Sequence, residues 1–229
     1  MAEVILALDL DPDAGLRLLD RIPDLRWVKV GAVLLTRSGA PFVQELRRRR
    51  LQVFLDLKWH DIPNTVAGAV EAAREMGVAM ATVHTLGGPG MLERAARAAG
   101  DHLALLGVTV LTAHDAESYG RAVGRDGVDL ATEVRRLASE AQRAGLAGVV
   151  CSPQETALVR EALGPRALVV VPGIRGRHDA SGDQVRVSTA GDAAARGATH
   201  LVVGRPILQA ADPAAAFRAL AAEAACTGV

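Results

Sequence analysis

Short apolar runs rich in Val, Leu and Ile alternate along this chain with longer Ala/Leu/Arg segments of helical period, the pattern of repeated strand–helix units around a parallel sheet. The pattern predicts strands at Val4 to Asp9, Trp27 to Gly31, Gln52 to Lys58, Ala79 to His84, Leu103 to Thr109, Gly148 to Ser152, Ala167 to Pro172 and His200 to Gly204. Helices are predicted near 13–22, 39–49, 63–76, 90–99, 131–144, 153–163, 190–196 and 213–225. Eight strands, each followed by a helix, indicate a single-domain (β/α)8 barrel, the TIM-barrel architecture, over residues 1–229. An open doubly wound sheet would have fewer strands and a Gly-rich fingerprint after the first, where this chain has Leu8-Asp9-Leu10-Asp11-Pro12.

In such a barrel the chemistry sits at the C-terminal ends of the strands. The polar residues there are Asp9 on the first predicted strand, Lys29 on the second, Asp56 and Lys58 on the third, His84 on the fourth and Thr112 just beyond the fifth. After the seventh comes Pro172-Gly173-Ile174-Arg175, and after the eighth Gly204-Arg205-Pro206. Loops seven and eight form a recurring phosphate site in this fold, and here both carry arginine beside glycine. The polar segment 173–184 is too long for a simple turn and is expected to act as a phosphate-closing lid. A second long connection, Thr109 to Asp129, is expected to bring Thr112 into the site and Tyr119 into packing.

Composition narrows the function. Formal net charge is zero, which removes the electrostatic case for nucleic acid or an anionic membrane surface and leaves a small molecule as the expected ligand. The start of the chain reads as neither a signal peptide nor a membrane span, since no apolar segment approaches the ~20 residues needed. A soluble, cytoplasmic protein is expected. Cys151 and Cys226 lie far apart and make no metal-ligand spacing with the histidines, so no metal site is expected.

Charge draws attention to one corner. Of 26 Lys and Arg residues only Lys29 and Lys58 are lysine. Arginine holds its proton at working pH, whereas an ammonium can transfer one, so the two lysines are candidates for proton chemistry. Either one alone reads as an ordinary strand-end cation. Lys58, however, shares a strand face with Asp56, and Asp61 follows just past the strand end, where Pro63 is placed to open the next helix. The basic run Arg47 to Arg50 reads instead as a solvated helix end, and Gly87-Gly88-Pro89-Gly90 as turn chemistry before a helix. His60 reads as structural, and His84 as a support for neighbouring site residues.

Asp56-Leu57-Lys58-Trp59-His60-Asp61-Ile62-Pro63-Asn64-Thr65 resembles the DxKxxDIPNT signature of the orotidine 5′-monophosphate decarboxylase family. The flanking segments agree in order and spacing: Leu8-Asp9, Val28-Lys29-Val30-Gly31, Val108-Thr109-Val110-Leu111-Thr112, Val171-Pro172-Gly173-Ile174-Arg175 with Gly182-Asp183-Gln184, and Val203-Gly204-Arg205-Pro206-Ile207. The resemblance implies cofactor-free decarboxylation of orotidine 5′-monophosphate to uridine 5′-monophosphate, in pyrimidine biosynthesis. It further implies that Lys58 protonates carbon 6, that Asp56 lies against the departing carboxylate, and that Lys29 and Asp61 complete an alternating charge array. By the same resemblance Asp9 and Lys29 bind the ribose hydroxyls, Thr112 meets the pyrimidine edge, and Arg175, Gln184, Gly204 and Arg205 hold the 5′-phosphate. It also implies a homodimer in which Asp61 and Thr65 reach into the partner's site.

Two competing functions are open. Related barrels use a DxKxxD corner with magnesium to make or break carbon–carbon bonds in sugar phosphates, hexulose-phosphate synthase being the nearest. Ile62-Pro63-Asn64-Thr65 and the 172–184 loop favour the decarboxylase. A non-catalytic nucleotide-binding barrel would be expected to lack at least one charge of the array, and all four are present.

Overall fold

The computed structural model describes residues 1–175 and 186–225. Eight parallel strands close into a barrel in sequence order: β1 (Glu3–Ala7), β2 (Trp27–Gly31), β3 (Gln52–Trp59), β4 (Met80–His84), β5 (Ala104–Val108), β6 (Gly148–Val150), β7 (Leu168–Val171) and β8 (His200–Val203), with β8 pairing back onto β1. The helices are α1 (Pro12–Leu19), α2 (Ala32–Arg48), α3 (Pro63–Glu75), α4 (Gly88–Ala99), α5 (Ala116–Val123), α6 (Leu130–Arg143), α7 (Thr156–Leu163), α8 (Ala190–Ala195), α9 (Arg205–Leu208) and α10 (Pro213–Ala225). The eight-strand architecture predicted from the apolar runs is the one observed.

Because strand side chains alternate faces, each strand divides its residues between two cores. Leu6, Val28, Val30, Val53, Leu55, Ala81 and Val83 face the helices in the larger one. Ile5, Ala7, Phe54, Met80, Leu106, Val170 and Val202 fill the barrel interior. Continuing the inward period of two toward the C-terminal mouth leads from Ala7 to Asp9, from Trp27 to Lys29, from Phe54 to Asp56 and from Met80 to Thr82 and His84. The barrel is apolar below and charged at its mouth.

Three of the differences from the periodic reading bear on the site or its surroundings. α2 starts at Ala32, earlier than predicted, and is two helices joined at Gly39 (φ 64, ψ −168), just before Pro41. The 109–129 connection contains α5, capped by reciprocal Asp115 and Ser118 bonds, too short for a 3.6-residue period to stand out. β3 runs on through Trp59, but its pairing with β4 slips between Leu55↔Ala81 and Trp59↔Val83. Lys58 has φ 52, so simple strand alternation does not carry through it. Pro63 opens α3 as expected.

Candidate active site

A cavity of about 650 Å³ opens at the C-terminal end of the barrel. Its floor is Ala7, Phe54, Val108, Val150 and Val202, from five different strands. Around the rim it gathers Asp9, Lys29, Asp56, Lys58, Thr112, Arg175, Gly204 and Arg205. Eight of the eleven site residues predicted from the sequence therefore line one space. Asp61 and Thr65 do not line it: both are exposed, and Asp61 accepts a 2.6 Å hydrogen bond from the Ile62 amide beyond the end of β3. Gln184 and positions 176–184 of the expected lid lie outside the described residues, as does Cys226.

Four charges form a continuous chain. Lys29 Nζ lies 3.3 Å from Asp9 Oδ1 and 3.8 Å from Asp56 Oδ2, and Lys58 Nζ lies 2.8 Å from Asp56 Oδ1. Signs alternate along it, so each carboxylate or ammonium stands beside its opposite. The two central side chains, Lys29 and Asp56, are 12% and 14% exposed, whereas Asp9 at one end is 63% exposed. The backbone makes room for the chain at Gly31, where an added Cβ would come within 3.2 Å of Lys29 Nζ. The contact between Asp9 and Lys29 was not foreseen, because it depends on the β1–β2 register.

Three further features escaped the sequence reading. Thr82 is completely buried and bonds both to the Lys58 amide and to Asp56. It resembles any β-branched strand former, and only its inward place two residues from Met80 marks it. Second, Arg186 and Glu155 form a buried pair at 2.7 Å, and Arg186 also donates to the Val110 and Leu111 carbonyls at 3.3 and 3.0 Å. Ser152 donates to the other oxygen of Glu155. This network fastens the segment after β5 that carries Thr112 to the end of β6 and the start of α7. Third, His84 stacks on His60 with ring centroids 5.7 Å apart, and its Nδ1 accepts from the Leu86 amide at 3.3 Å. Burial, then the nearby His60 and Lys58 charges, push the His84 pKa down to about 4. At the cavity wall, burial pushes the Cys151 thiol up to about 12.

After β7, Arg175 is buried, with its Nη1 donating to the Ile174 carbonyl at 2.8 Å, and Gly173 two residues before it takes φ 82, a conformation glycine adopts without strain. Arg205 opens α9 immediately after Gly204. Among the described residues no group of three or more His, Cys, Asp or Glu side chains is arranged to hold a metal ion, and no helix is long and apolar enough to cross a membrane.

Comparison with known proteins identifies the family. The family model described as "Orotidine 5'-phosphate decarboxylase / HUMPS family" matches residues 2–220. The chain belongs to that family. Curated relatives bearing the name orotidine 5′-phosphate decarboxylase include one from Halorhodospira halophila, 51% identical over 90% of this chain and 88% of its own length. Another, from Alkalilimnicola ehrlichii, is 49% identical over 98% of this chain and 97% of its own. Among solved structures, the orotidine 5′-phosphate decarboxylase from Lactobacillus acidophilus superposes with a TM-score of 0.86 at 35% identity, covering 98% of this chain and 99% of the other. The chain Asp9–Lys29–Asp56–Lys58 contains the first Asp and the Lys of the DxKxxD motif, joined to residues of the two preceding strand–loop units, whereas the motif's second Asp, Asp61, stands outside it.

Proposed function

We infer that the protein decarboxylates orotidine 5′-monophosphate to uridine 5′-monophosphate without a cofactor, and that Lys58 donates the proton that replaces the carboxylate at carbon 6. The observation that carries the reading is the 2.8 Å pair of Lys58 with a largely buried Asp56 at the edge of a cavity also lined by Arg175 and Arg205. The relatives named orotidine 5′-phosphate decarboxylase, about half identical to this chain over most of its length, support the same reaction.

The chemistry follows from where charge develops. As carbon dioxide leaves, an electron pair remains at carbon 6 in an orbital the pyrimidine ring delocalises poorly, so a fixed ammonium beside that carbon lowers the barrier most directly. Lys58 supplies that charge and then the proton. Asp56 holds the ammonium and faces the departing carboxylate. Lys29, gripped on both sides, and Asp9 bind the ribose hydroxyls; Thr112 meets the pyrimidine edge. Arg175, Gly204, Arg205 and Gln184 take the 5′-phosphate, whose binding energy offsets the cost of excluding water from the reacting end. Closure of 173–184 over the phosphate belongs to the same proposal.

A homodimer completes the reading, with Asp61 and Thr65 contributed to the partner's site. Support comes from the exposed apolar side chains Val33 and Ile62, 67% and 66% exposed, with Leu86 nearby in strand order at the mouth end of β2, β3 and β4. Apolar surface of this kind is what a subunit interface would cover. A cytoplasmic location goes with phosphorylated substrate and product.

The test is an ultraviolet absorbance assay of orotidine 5′-monophosphate turnover with and without a divalent-metal chelator. Turnover insensitive to chelation is expected; dependence on the metal would favour the sugar-phosphate chemistry of the related magnesium barrels.

A further inference from the structure

We propose that Thr82 is a positioning residue for the reacting pair, its hydroxyl holding both the Lys58 backbone and the Asp56 carboxylate in place. The proposal rests on the reading of Lys58 as proton donor.

Lys58 departs from strand geometry. Its φ of 52 lies in the left-handed region, and Arg50, in the turn after α2, is the one other non-glycine residue so placed among those described. For a long side chain with a Cβ this conformation is strained, and such strain persists only where surrounding bonds enforce it. The β3–β4 ladder shows what is missing at this point: between the pairs Leu55↔Ala81 and Trp59↔Val83, Asp56, Leu57 and Lys58 stand against the single residue Thr82. A bulge of this size takes backbone groups out of the ladder.

Thr82 meets that need with one atom. The Lys58 amide donates to Thr82 Oγ1 at 2.8 Å, and the hydroxyl lies 3.1 Å from Asp56 Oδ1. Because the amide can only donate, the hydroxyl proton is left for the carboxylate. Asp56 Oδ1 is the same oxygen that accepts from Lys58 Nζ at 2.8 Å. Backbone and side chain of Lys58 are thus tied, through Oγ1 and Oδ1, to one point on β4. Thr82 has no solvent exposure, so water does not compete for either bond. A residue without a hydroxyl at position 82 would leave the amide and one lone pair of Oδ1 without this partner and free the bulge to relax, moving the ammonium relative to carbon 6.

Thr82→Val and Thr82→Ser test this, with kcat and KM for orotidine 5′-monophosphate, uridine 5′-monophosphate affinity and thermal melting measured on each. Displacement of a reacting group by about 1 Å costs on the order of 10²-fold. Thr82→Val is expected to lose about 10- to 100-fold in kcat while KM and product affinity change by less than about 3-fold. Thr82→Ser is expected to stay within about 3-fold of the unaltered protein in kcat. If Thr82→Val does not fold, Thr82→Ala compared with Thr82→Ser isolates the same hydroxyl. Full kcat in the variants lacking it, no rescue by serine, or a loss confined to KM would each overturn the proposal. Lys58→Ala in the same assay separates the two levels: activity retained there defeats the reading of Lys58, whereas an inactive Lys58→Ala beside a fully active Thr82→Val defeats only the role of Thr82.

Discussion

Lys58 reaches back 2.8 Å to Asp56, two residues earlier on the same strand, from a backbone position in the left-handed region (φ 52). The pair is local in sequence, but its geometry is imposed from β4, and the other oxygen of its carboxylate is approached from β2 by Lys29. Several measurable consequences follow from how this chain of contacts is built.

Lys58→Ala should remove both the preorganised charge and the proton donor. General-acid and electrostatic contributions together place the expected loss in kcat at 10⁴-fold or more, as an order of magnitude. The fold should survive, since Lys58 is 37% exposed. Near-normal turnover in a steady-state absorbance assay would sink the assigned role.

Arg205→Ala should act on binding. Loss of charge-assisted bonds to a phosphate is worth about 1.5–3 kcal/mol each, so KM should rise by roughly 10- to 100-fold and kcat should fall less. An unchanged KM would show that the phosphate sits elsewhere.

Asp61 supplies a test of the dimer. If it serves the neighbouring subunit, inactive Lys58→Ala and inactive Asp61→Asn should regain activity on mixing and reassociation, because a hybrid dimer holds one site with neither defect. Random reassortment predicts recovery of about a quarter of the full activity. No recovery from an exchanged mixture would place Asp61 in its own subunit's site.

Arg186→Met should destabilise strongly. It leaves the Glu155 carboxylate buried with Ser152 as its remaining side-chain partner among the described residues and frees the Val110 and Leu111 carbonyls. Breaking a buried pair this way costs about 3–5 kcal/mol, or roughly 6–20 °C in Tm for a chain of this size. A melting curve coincident with the unaltered protein would mean the network contributes little.

Acid should weaken the fold through His84. Its folded pKa, pushed down to about 4, lies below the ordinary 6.5, so between these values the unfolded chain binds the extra proton. The contribution of neutral His84 is complete above pH 6.5 and falls away as pH drops toward 4. Allowing for partial exposure, the loss is about 1–2 kcal/mol. Urea midpoints measured from pH 7 to 5 should fall for the unaltered protein and fall less for His84→Asn; parallel curves would rule His84 out as the source.

The sequence by itself determined the barrel and most of the mouth. Eight apolar runs spaced by helical segments leave little choice of architecture, and residues that end strands must collect at one rim once those strands run parallel and close. Asp9, Lys29, Asp56 and Lys58 were legible for that reason, helped by the scarcity of lysine in an arginine-rich chain. Short or interrupted elements were not: α5 is only eight residues long, and α2 hides a break at Gly39.

Tertiary structure alone decided which residues touch. The Asp9–Lys29 contact depends on strand register, the Arg186–Glu155 pair joins positions 31 apart, and Thr82 meets Lys58 only because β3 bulges against β4. Periodicity reports the face a residue occupies, which is a property of its own strand. Hydrogen-bond partners across a bulge depend on how two strands slip against each other, and that slip is set by packing of the whole barrel.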